Sequence, residues 1–171
     1  DYIIKHTQNK GLAEAFLTGI DSCLKYGADV IVNTDADNQY NANDIEKLVK
    51  PILDGKADMV IGSRPIKDIK HFSLLKKILQ RVGSWVVRVV SGTKVEDAPS
   101  GFRAFSRETA MKLMVYNNYT YTLETIIQAG KNKMKVICVP IRVNETKRKS
   151  RLVKSIFSYV RKNIFAIIRI F

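Results

Sequence analysis

Cysteine is scarce in this chain, with two residues among 171. Cys23 and Cys138 lie in apolar segments without metal-ligand spacing, so we interpret them as small buried side chains of a protein from a reducing compartment. Long apolar runs are also lacking, since none reaches the ~18 residues that a membrane span needs. With 46% hydrophobic and 26% charged residues, the composition excludes a disordered tail, a collagen-like fibre and a disulfide mini-protein.

Acidic residues are few in the C-terminal part of the chain. Residues 1–100 carry 14 basic and 13 acidic side chains, whereas residues 101–171 carry 15 basic and three acidic ones. The second part therefore supplies nearly all of the formal net charge of +13. This asymmetry predicts an anionic partner for the C-terminal part, namely a nucleic acid, an acidic membrane surface or a phosphorylated ligand.

Short β-branched runs alternate with helical patterns along the chain. The predicted strands are residues 2–4, 30–32, 59–61, 102–105 and 135–143, and the predicted helices are residues 11–26, 43–53, 72–90, 120–129 and 150–171. We expect Asn43 to cap the second helix. This alternation predicts an α/β domain with a mostly parallel sheet. Because a strand begins at residue 2 without a preceding loop, we expect the chain to be part of a longer domain at both ends.

Two carboxylates, Asp35 and Asp37, directly follow the predicted strand that ends near Asn33, and Gln39 lies two residues further on. In open parallel sheets, ligands bind outside the carboxyl ends of the strands. Oxygen ligands at this spacing suit a hard divalent cation. The alternative is a helix-capping loop that is merely rich in Asp and Asn.

The segment Asn33-Thr34-Asp35-Ala36-Asp37-Asn38-Gln39-Tyr40 resembles the D-A-D-x-Q segment of family 2 glycosyltransferases, specifically the polyprenyl-phosphate (dolichol-phosphate mannose synthase-like) enzymes. Six more segments resemble the same family in order: Asn9-Lys10-Gly11, Gly62-Ser63-Arg64, Asp97-Ala98-Pro99-Ser100-Gly101-Phe102-Arg103, Tyr121-Thr122-Leu123-Glu124, Val139-Pro140-Ile141 and Ser150-Arg151-Leu152. The resemblance implies a GT-A (Rossmann-like), mostly parallel sheet flanked by helices. We expect this sheet to be N-terminally incomplete, because the family's first strands, which hold the nucleotide base, have no counterpart in the 171 residues. The chain departs from the family's pattern at Lys76 and Gln80, where many members have Arg and Ser, and at residues 147–151.

The resemblance also implies an activity. A sugar, mannose or glucose, would pass with inversion from GDP-mannose or UDP-glucose to a polyprenyl (dolichyl or undecaprenyl) phosphate. Asp35, Asp37 and Gln39 would hold Mg²⁺ or Mn²⁺, which neutralises the leaving diphosphate. The acceptor phosphate is already an anionic nucleophile at neutral pH, so no strong general base is required. A sequence with only two histidines, neither of them in the acidic segment, fits this chemistry.

Fixed cations must oppose the repulsion between the two phosphates. We assign Arg64 to the diphosphate, since an Arg fork binds phosphate at two points, and Asp97 as an organiser that pairs with a cation or a sugar hydroxyl. The catalytic set is then Asp37, Arg64 and Asp97. The residues assigned to substrate binding are Asp35, Arg64, Lys76, Lys77, Arg81, Ser100 and Arg148. The alternatives are a surface ion pair for Arg64, a solvated basic face on the helix and a structural turn around Asp97.

The C-terminal segment has an amphipathic pattern. Apolar residues recur every three or four positions from Val153 to Phe171, and basic residues flank them, namely Arg151, Lys154, Arg161, Lys162 and Arg169. This pattern predicts a helix in the interface of an anionic membrane, with packing on its own domain as the alternative. We expect residues 1–149 to form a partial catalytic domain. Residues 150–171 are expected to form an interface helix that leads toward a membrane segment, at the cytoplasmic membrane face.

Other functions stay open at this stage. They are a family 2 transferase with a saccharide or protein acceptor, an inactive remnant that lacks the base-binding strands, and a non-catalytic nucleic-acid-binding module. The last predicts aromatic residues interleaved with basic ones on one sheet face. Here the basic residues lie on predicted helices and beside two carboxylates that would repel a phosphate backbone. We therefore expect no nucleic-acid partner.

Overall fold

A computed structural model describes residues 1–66, 74–116 and 120–144 of the chain. Its elements in chain order are α1 (Leu12–Lys25), β1 (Val30–Asn33), a 3₁₀ turn (Ala42–Asp44), α2 (Ile45–Leu53), β2 (Met59–Ser63), α3 (Leu74–Ser91), β3 (Arg103–Ser106), α4 (Arg107–Lys112), α5 (Thr122–Lys131) and β4 (Val136–Pro140). Helices flank the sheet, so the predicted α/β fold is confirmed.

The four strands form one sheet in the order β1-β3-β2-β4. Strands β1, β2 and β4 point in the same direction, as expected, and β2 pairs in parallel with β4. Strand β3 lies between β1 and β2 and runs antiparallel to both. The carboxyl ends of three strands and the amino end of β3 therefore meet at one edge of the sheet, which we call the site edge.

Alternating side chains of the strands divide the core into two layers. On one face, Met59 and Ile61 of β2 pack with α1, α3 and α5, and the stacked rings of Phe16 and Tyr121 lie in the same cluster. On the other face, Val60 packs with Leu48 of α2. Cys23 and Cys138 are free thiols, half-buried against the first cluster, in agreement with their interpretation as packing residues.

Two local predictions were wrong, and one short helix was missed. Residues 2–4 form no strand, and Tyr2 and Ile3 are 71% and 84% exposed, because no strand in the described part of the chain lies beside them to share backbone hydrogen bonds. The cap ahead of α2 is Asn41 rather than Asn43, since its side chain accepts the N–H of residue 43 and a 3₁₀ turn precedes the helix. The short helix α4 was not predicted at all.

The predicted helix at residues 150–171 and the domain boundary at residue 149 lie outside the described residues. Among the residues that are described, no helix combines the length and hydropathy needed to cross a bilayer.

Candidate active site

The site edge brings together four segments that are distant in sequence. The loop at residues 34–40 follows β1, Arg64 follows β2, residues 97–102 precede β3, and residues 141–144 follow β4. Ligands of open α/β sheets bind at such an edge. The predicted site residues Asp35, Arg64 and Asp97 therefore all lie at the site edge.

Short-range hydrogen bonds shape the loop that carries the two carboxylates. Asp37 Oδ1 accepts the backbone N–H of Gln39 at 3.0 Å, and Asn38 adopts a φ of 59°, a left-handed conformation that Asn tolerates. Asn144 donates its backbone N–H to the Gln39 carbonyl at 2.8 Å and its side-chain amide to the Asn38 carbonyl at 3.1 Å. The chain after β4 thus holds this loop, which leaves the Asp37 side chain exposed and Asp35 half-buried.

Asp35 lies against the backbone of Gly101. A Cβ on Gly101 would stand 2.9 Å from Asp35 Oδ2 and 3.2 Å from the Tyr121 hydroxyl, so only glycine allows this approach. Burial, and then the Asp37 carboxylate, raise the pKa of Asp35, whereas the charges of Arg64 and Arg103 act in the opposite direction. A cation beside the two carboxylates would offset both of the effects that raise this pKa.

Two side chains, those of Asn33 and Tyr40, form hydrogen bonds with the backbone of Gly101. Asn33 donates its amide to the Gly101 carbonyl at 2.8 Å and to the Tyr121 hydroxyl at 2.7 Å. The Gly101 N–H donates to the Tyr40 hydroxyl at 3.1 Å. The residues on either side of the carboxylate loop, Asn33 and Tyr40, therefore tie it to the loop before β3.

Arg64 and Asp97 form a two-point ion pair. Nε of Arg64 donates to Oδ2 of Asp97 at 2.7 Å, Nη2 donates to Oδ1 at 2.9 Å, and the Arg64 backbone N–H donates to Oδ2 at 3.2 Å. The Asp97 side chain is fully buried, and that of Arg64 is 9% exposed. Gln80 of α3 donates to Oδ1 of Asp97 at 3.0 Å. Asp97 thus pairs with a cation, which is Arg64, and its role as an organiser of the site stays a prediction.

A second buried guanidinium lies below the site edge. Arg103 is 0% exposed, and it donates to the carbonyls of Ser100, Ala98 and Thr122 at 2.7, 2.6 and 2.8 Å and to the Thr125 hydroxyl at 2.8 Å. Burial lowers the pKa of Arg103 from its usual value. Its bonds to backbone carbonyls fasten the loop at residues 97–101 to α5.

The other predicted binding residues are spread over the fold. Ser100 is fully buried, and its carbonyl bonds to Arg103. On α3, Lys77 is half-buried and Arg81 is exposed. Lys76 belongs to the same helix, but its side chain lies outside the description, as does all of Arg148.

The donor set suits a divalent cation. Asp35, Asp37 and Gln39 offer oxygen ligands only, which Mg²⁺ and Mn²⁺ prefer. No group of three or more His, Cys, Asp or Glu side chains gathers in the described ranges. A metal here would therefore take part of its coordination from the phosphate oxygens of a ligand, as is usual for Mg²⁺.

Sequence reasoning did not single out the residues that support the site. Asn33 and Tyr40 bond to Gly101, Tyr121 accepts from Asn33, and Gln80 donates to Asp97. Asn33 and Tyr40 are the first and last residues of the segment that resembles the family's D-A-D-x-Q segment. Their place in that segment was the one sequence feature that could have indicated a supporting role. Gln80 stood out only as a departure from the family's pattern, and its contact with Asp97, 17 residues away, could not be read from the sequence.

The chain belongs to the family 2 glycosyltransferases, because the family model for Glycosyl transferase family 2 matches residues 2–114. Among the relatives, the UDP-N-acetylglucosamine–dolichyl-phosphate N-acetylglucosaminyltransferase of Methanococcus voltae is 37% identical over 145 residues, which are 81% of this chain and 57% of that protein. The polyprenol monophosphomannose synthase of Mycolicibacterium smegmatis is 27% identical over 150 residues, 84% of this chain and 56% of that protein. The chain thus spans less than two thirds of the length of these relatives.

Solved structures show the same fold. Glucosyl-3-phosphoglycerate synthase from Mycobacterium tuberculosis, in complex with phosphoglyceric acid, superposes with a TM-score of 0.70 at 17% identity, over 96% of this chain and 56% of that one. The same enzyme was crystallised with Mn²⁺, UDP and glucosyl-3-phosphoglycerate. That structure gives a TM-score of 0.63 at 17% identity, over 95% of this chain and 54% of that one. The similarity confirms the GT-A fold expected for this chain.

Proposed function

We propose that this chain carries the catalytic part of a metal-dependent glycosyltransferase that moves a sugar from a nucleotide-diphosphate sugar to a polyprenyl phosphate. The observation that carries the proposal is the site edge itself, where Asp35 lies close enough to the buried Arg64–Asp97 pair for the charge of Arg64 to act on its pKa. Relatives whose names specify dolichyl, polyprenol or undecaprenyl phosphate support a lipid-linked acceptor. Solved neighbours with Mn²⁺ or Mg²⁺ and UDP support the metal and the donor class.

The proposed reaction is a single displacement. A phosphate oxygen of the acceptor attacks C1 of the sugar, the bond from C1 to the donor diphosphate breaks, and the configuration at C1 inverts. The acceptor oxygen is already ionised, so no residue has to remove a proton from it. A bound divalent cation would supply Lewis-acid neutralisation of the departing diphosphate.

The residues of this chain perform the positioning. Asp35, Asp37 and Gln39 would hold the cation, and the lack of a Cβ at Gly101 leaves room for the Asp35 carboxylate. Arg64, held by Asp97, places a positive charge beside the carboxylate loop without a reorganisation of the side chain. Lys77 and Arg81 of α3, together with Lys76 and Arg148, are the cations proposed for the acceptor phosphate.

The test is a radiolabelled transfer assay with membranes that contain the full-length protein. The donors are GDP-mannose, UDP-glucose and, because a relative is named for it, UDP-N-acetylglucosamine. The acceptors are dolichyl phosphate, undecaprenyl phosphate and a saccharide panel. We expect one donor to label a polyprenyl phosphate, and transfer to saccharides alone would contradict the proposal.

A matched pair of variants ties the transfer to the site. Asp37→Asn removes one proposed metal ligand and is expected to abolish transfer while the protein stays folded, because the side chain is exposed. Asp21→Asn makes the same chemical change at an exposed position of α1 and should leave transfer unchanged. If Asp37→Asn turns over like the wild type, the metal assignment is wrong.

A further inference from the structure

Helix α3 is apolar on the side that faces away from the core. Four large side chains on it are more than half exposed: Ile78 (58%), Val82 (52%), Trp85 (57%) and Val89 (64%). Their spacings of four, three and four residues place them within about 60° of one another around the helix. We call this surface the α3 stripe.

The opposite side of the same helix is occupied by the protein. Val87, Ser84 and Ser91 are buried there, with Val87 in the core cluster shared with α5. A helix of a soluble domain normally presents polar residues on the face opposite its core contacts. A contiguous apolar stripe at that place, unlike scattered exposed residues, marks an interaction surface.

The charges on helix α3 itself have one sign. Helix α3 contains four basic residues and no acidic one. Arg81 and Arg88 are exposed and fall next to each other along one border of the stripe. An apolar face with an aromatic residue, bordered by Arg, is the pattern of a helix that lies in the headgroup region of an anionic bilayer.

The stripe has a defined relation to the site edge. On its inner side, α3 donates from Gln80 to Asp97 at 3.0 Å and accepts the Ala98 N–H on the Ser84 hydroxyl at 3.2 Å. The stripe therefore lies on the far side of the helix that holds the Asp97 loop, about 10 Å away across one helix diameter. A bilayer against this stripe would lie beside the loop that orients Arg64.

We propose that the α3 stripe binds the surface of an anionic lipid bilayer, with Val82, Trp85 and Val89 at the level of the acyl boundary and Arg81 and Arg88 at the headgroups. This inference rests on the proposed function, because a lipid-linked acceptor must reach the site edge from a membrane. It gives the catalytic domain a membrane contact of its own, in addition to the predicted helix at residues 150–171.

Trp85 is a built-in probe, since it is the only tryptophan of the 171-residue chain. The experiment titrates the chain with vesicles of phosphatidylcholine alone or mixed with phosphatidylglycerol and records Trp85 emission. We expect a water-like emission without lipid, a blue shift with anionic vesicles, and quenching by lipids brominated near the headgroup. Neutral vesicles should give a much smaller shift.

Variants test the stripe and its border separately. Val82→Gln together with Val89→Gln should weaken binding to anionic vesicles at least tenfold, whereas Leu53→Gln, at an apolar position of α2 that is 70% exposed, should not. Arg81→Gln with Arg88→Gln should weaken it by a similar factor and reduce its salt dependence. Lys25→Gln with Lys112→Gln removes the same charge from exposed positions on α1 and α4 and should have a smaller effect.

Three outcomes would overturn the inference. If the chain binds vesicles and the Trp85 emission stays water-like, the membrane contact lies elsewhere. Blue-shifted emission without lipid at every protein concentration would mean that another part of the chain covers the stripe, and a shift that grows with protein concentration would mean a second copy.

Failure of the inference is separable from failure of the proposed function. The Val82→Gln/Val89→Gln variant should still transfer sugar to a short, water-soluble polyprenyl phosphate and should lose transfer to a vesicle-embedded one. A wild-type protein that labels no acceptor in either format would reject the proposed function, whereas the Trp85 measurement would stand unaffected.

Discussion

Gly101 is a single residue on which the position of the proposed metal ligand depends. Its backbone contacts the Asp35 carboxylate so closely that a Cβ would stand 2.9 Å from Oδ2. We predict that Gly101→Ala pushes this carboxylate aside and lowers Mn²⁺ affinity at least tenfold in the presence of nucleoside diphosphate, as measured by calorimetry. The free energy of unfolding should fall by less than the ~1–3 kcal/mol typical of overpacking, because the displaced atom is the end of the half-buried Asp35 side chain.

The matched control for this change is Gly19→Ala. Nothing lies within 4 Å of a Cβ at Gly19, which is inside α1, so this substitution should leave Mn²⁺ affinity unchanged and stabilise the helix by about 0.5–1 kcal/mol. Equal Mn²⁺ affinity in both variants would show that the approach of Gly101 to Asp35 has no part in metal binding.

Asp35 illustrates a conflict between stability and the proposed activity at one residue. Because its pKa is raised by burial and by Asp37, the ionised form is less favourable in the folded than in the unfolded chain. The resulting cost is fully present above the raised pKa and vanishes below the usual value of 3.8. We therefore predict that Asp35→Asn raises the melting temperature at pH 7 in metal-free buffer and abolishes transfer.

The pH dependence checks the sign of this prediction. The stability gained by Asp35→Asn should shrink as the pH falls toward 3.8, because the wild-type carboxyl then becomes neutral as well. Asp21→Asn, at an exposed position, serves as the control. A variant that is less stable than the wild type at pH 7 would mean that the carboxylate is stabilised in the folded chain.

At the scale of elements, the Arg64–Asp97 pair joins the end of β2 to the loop before β3. An exposed Arg64 could be replaced by Ala with little loss of stability, but the side chain is only 9% exposed and its partner is fully buried. Removing one member of a buried pair costs about 3–5 kcal/mol, because the other charge is left buried. We predict a loss of this size for Arg64→Ala in denaturant unfolding, together with at least a tenfold loss of transfer.

A double-mutant cycle with Asp97→Ala distinguishes the pair from two independent effects. Once Asp97 is gone, Arg64→Ala should cost much less than it does alone, which gives a coupling energy. Lys56→Ala breaks the exposed pair with Asp54, whose side chains are 72% and 37% exposed, and should change stability little. Additive losses for Arg64 and Asp97 would contradict the structural role of the pair.

The order of elements could be predicted from the sequence, but their pairing could not. The apolar spacing around Phe16 and Ile20 predicted α1, and the run at Met59–Ile61 predicted β2, because periodicity reports which face is buried. Strand direction leaves no such trace, so β3 was not expected to run antiparallel. Helix α4 spans only six residues, too few for a helical period, although the Ser106 cap that accepts the Thr109 N–H was a usable signal.

The candidate site shows the same limit. Asp35, Asp37 and Arg64 were found because they lie beside strand ends in recognisable segments. Asp97 was singled out too, but its contact with Arg64 was not predicted, nor was that of Asn33 with Tyr121, since these contacts join residues 33 and 88 positions apart. A pattern within one segment carries no information about a partner that only the folded sheet brings near.

At the scale of the whole molecule, positive charge is distributed unevenly along the chain. Residues 1–100 are nearly neutral and supply the carboxylate loop, whereas residues 101–171 supply most of the positive charge. Attraction to an anionic surface falls off within a Debye length. A basic residue therefore contributes to membrane binding only if it lies close to the surface, whatever the net charge of the chain. The position of the basic residues, rather than their number, should therefore decide membrane binding.

The last prediction tests that statement on the C-terminal segment. Replacing Arg151, Lys154, Arg161 and Lys162 together with Gln keeps helix propensity and removes about 1 kcal/mol of attraction per residue near an anionic surface. Binding to anionic liposomes should fall by orders of magnitude in a sedimentation assay, and wild-type binding should weaken as salt rises.

The matched variant replaces Lys5, Lys10, Lys25 and Lys131 with Gln and lowers the net charge equally, so it should retain most of the binding. If the two variants lose binding alike, net charge rather than the C-terminal segment governs the attraction. If wild-type binding ignores both lipid charge and salt, the segment has no electrostatic role at a membrane.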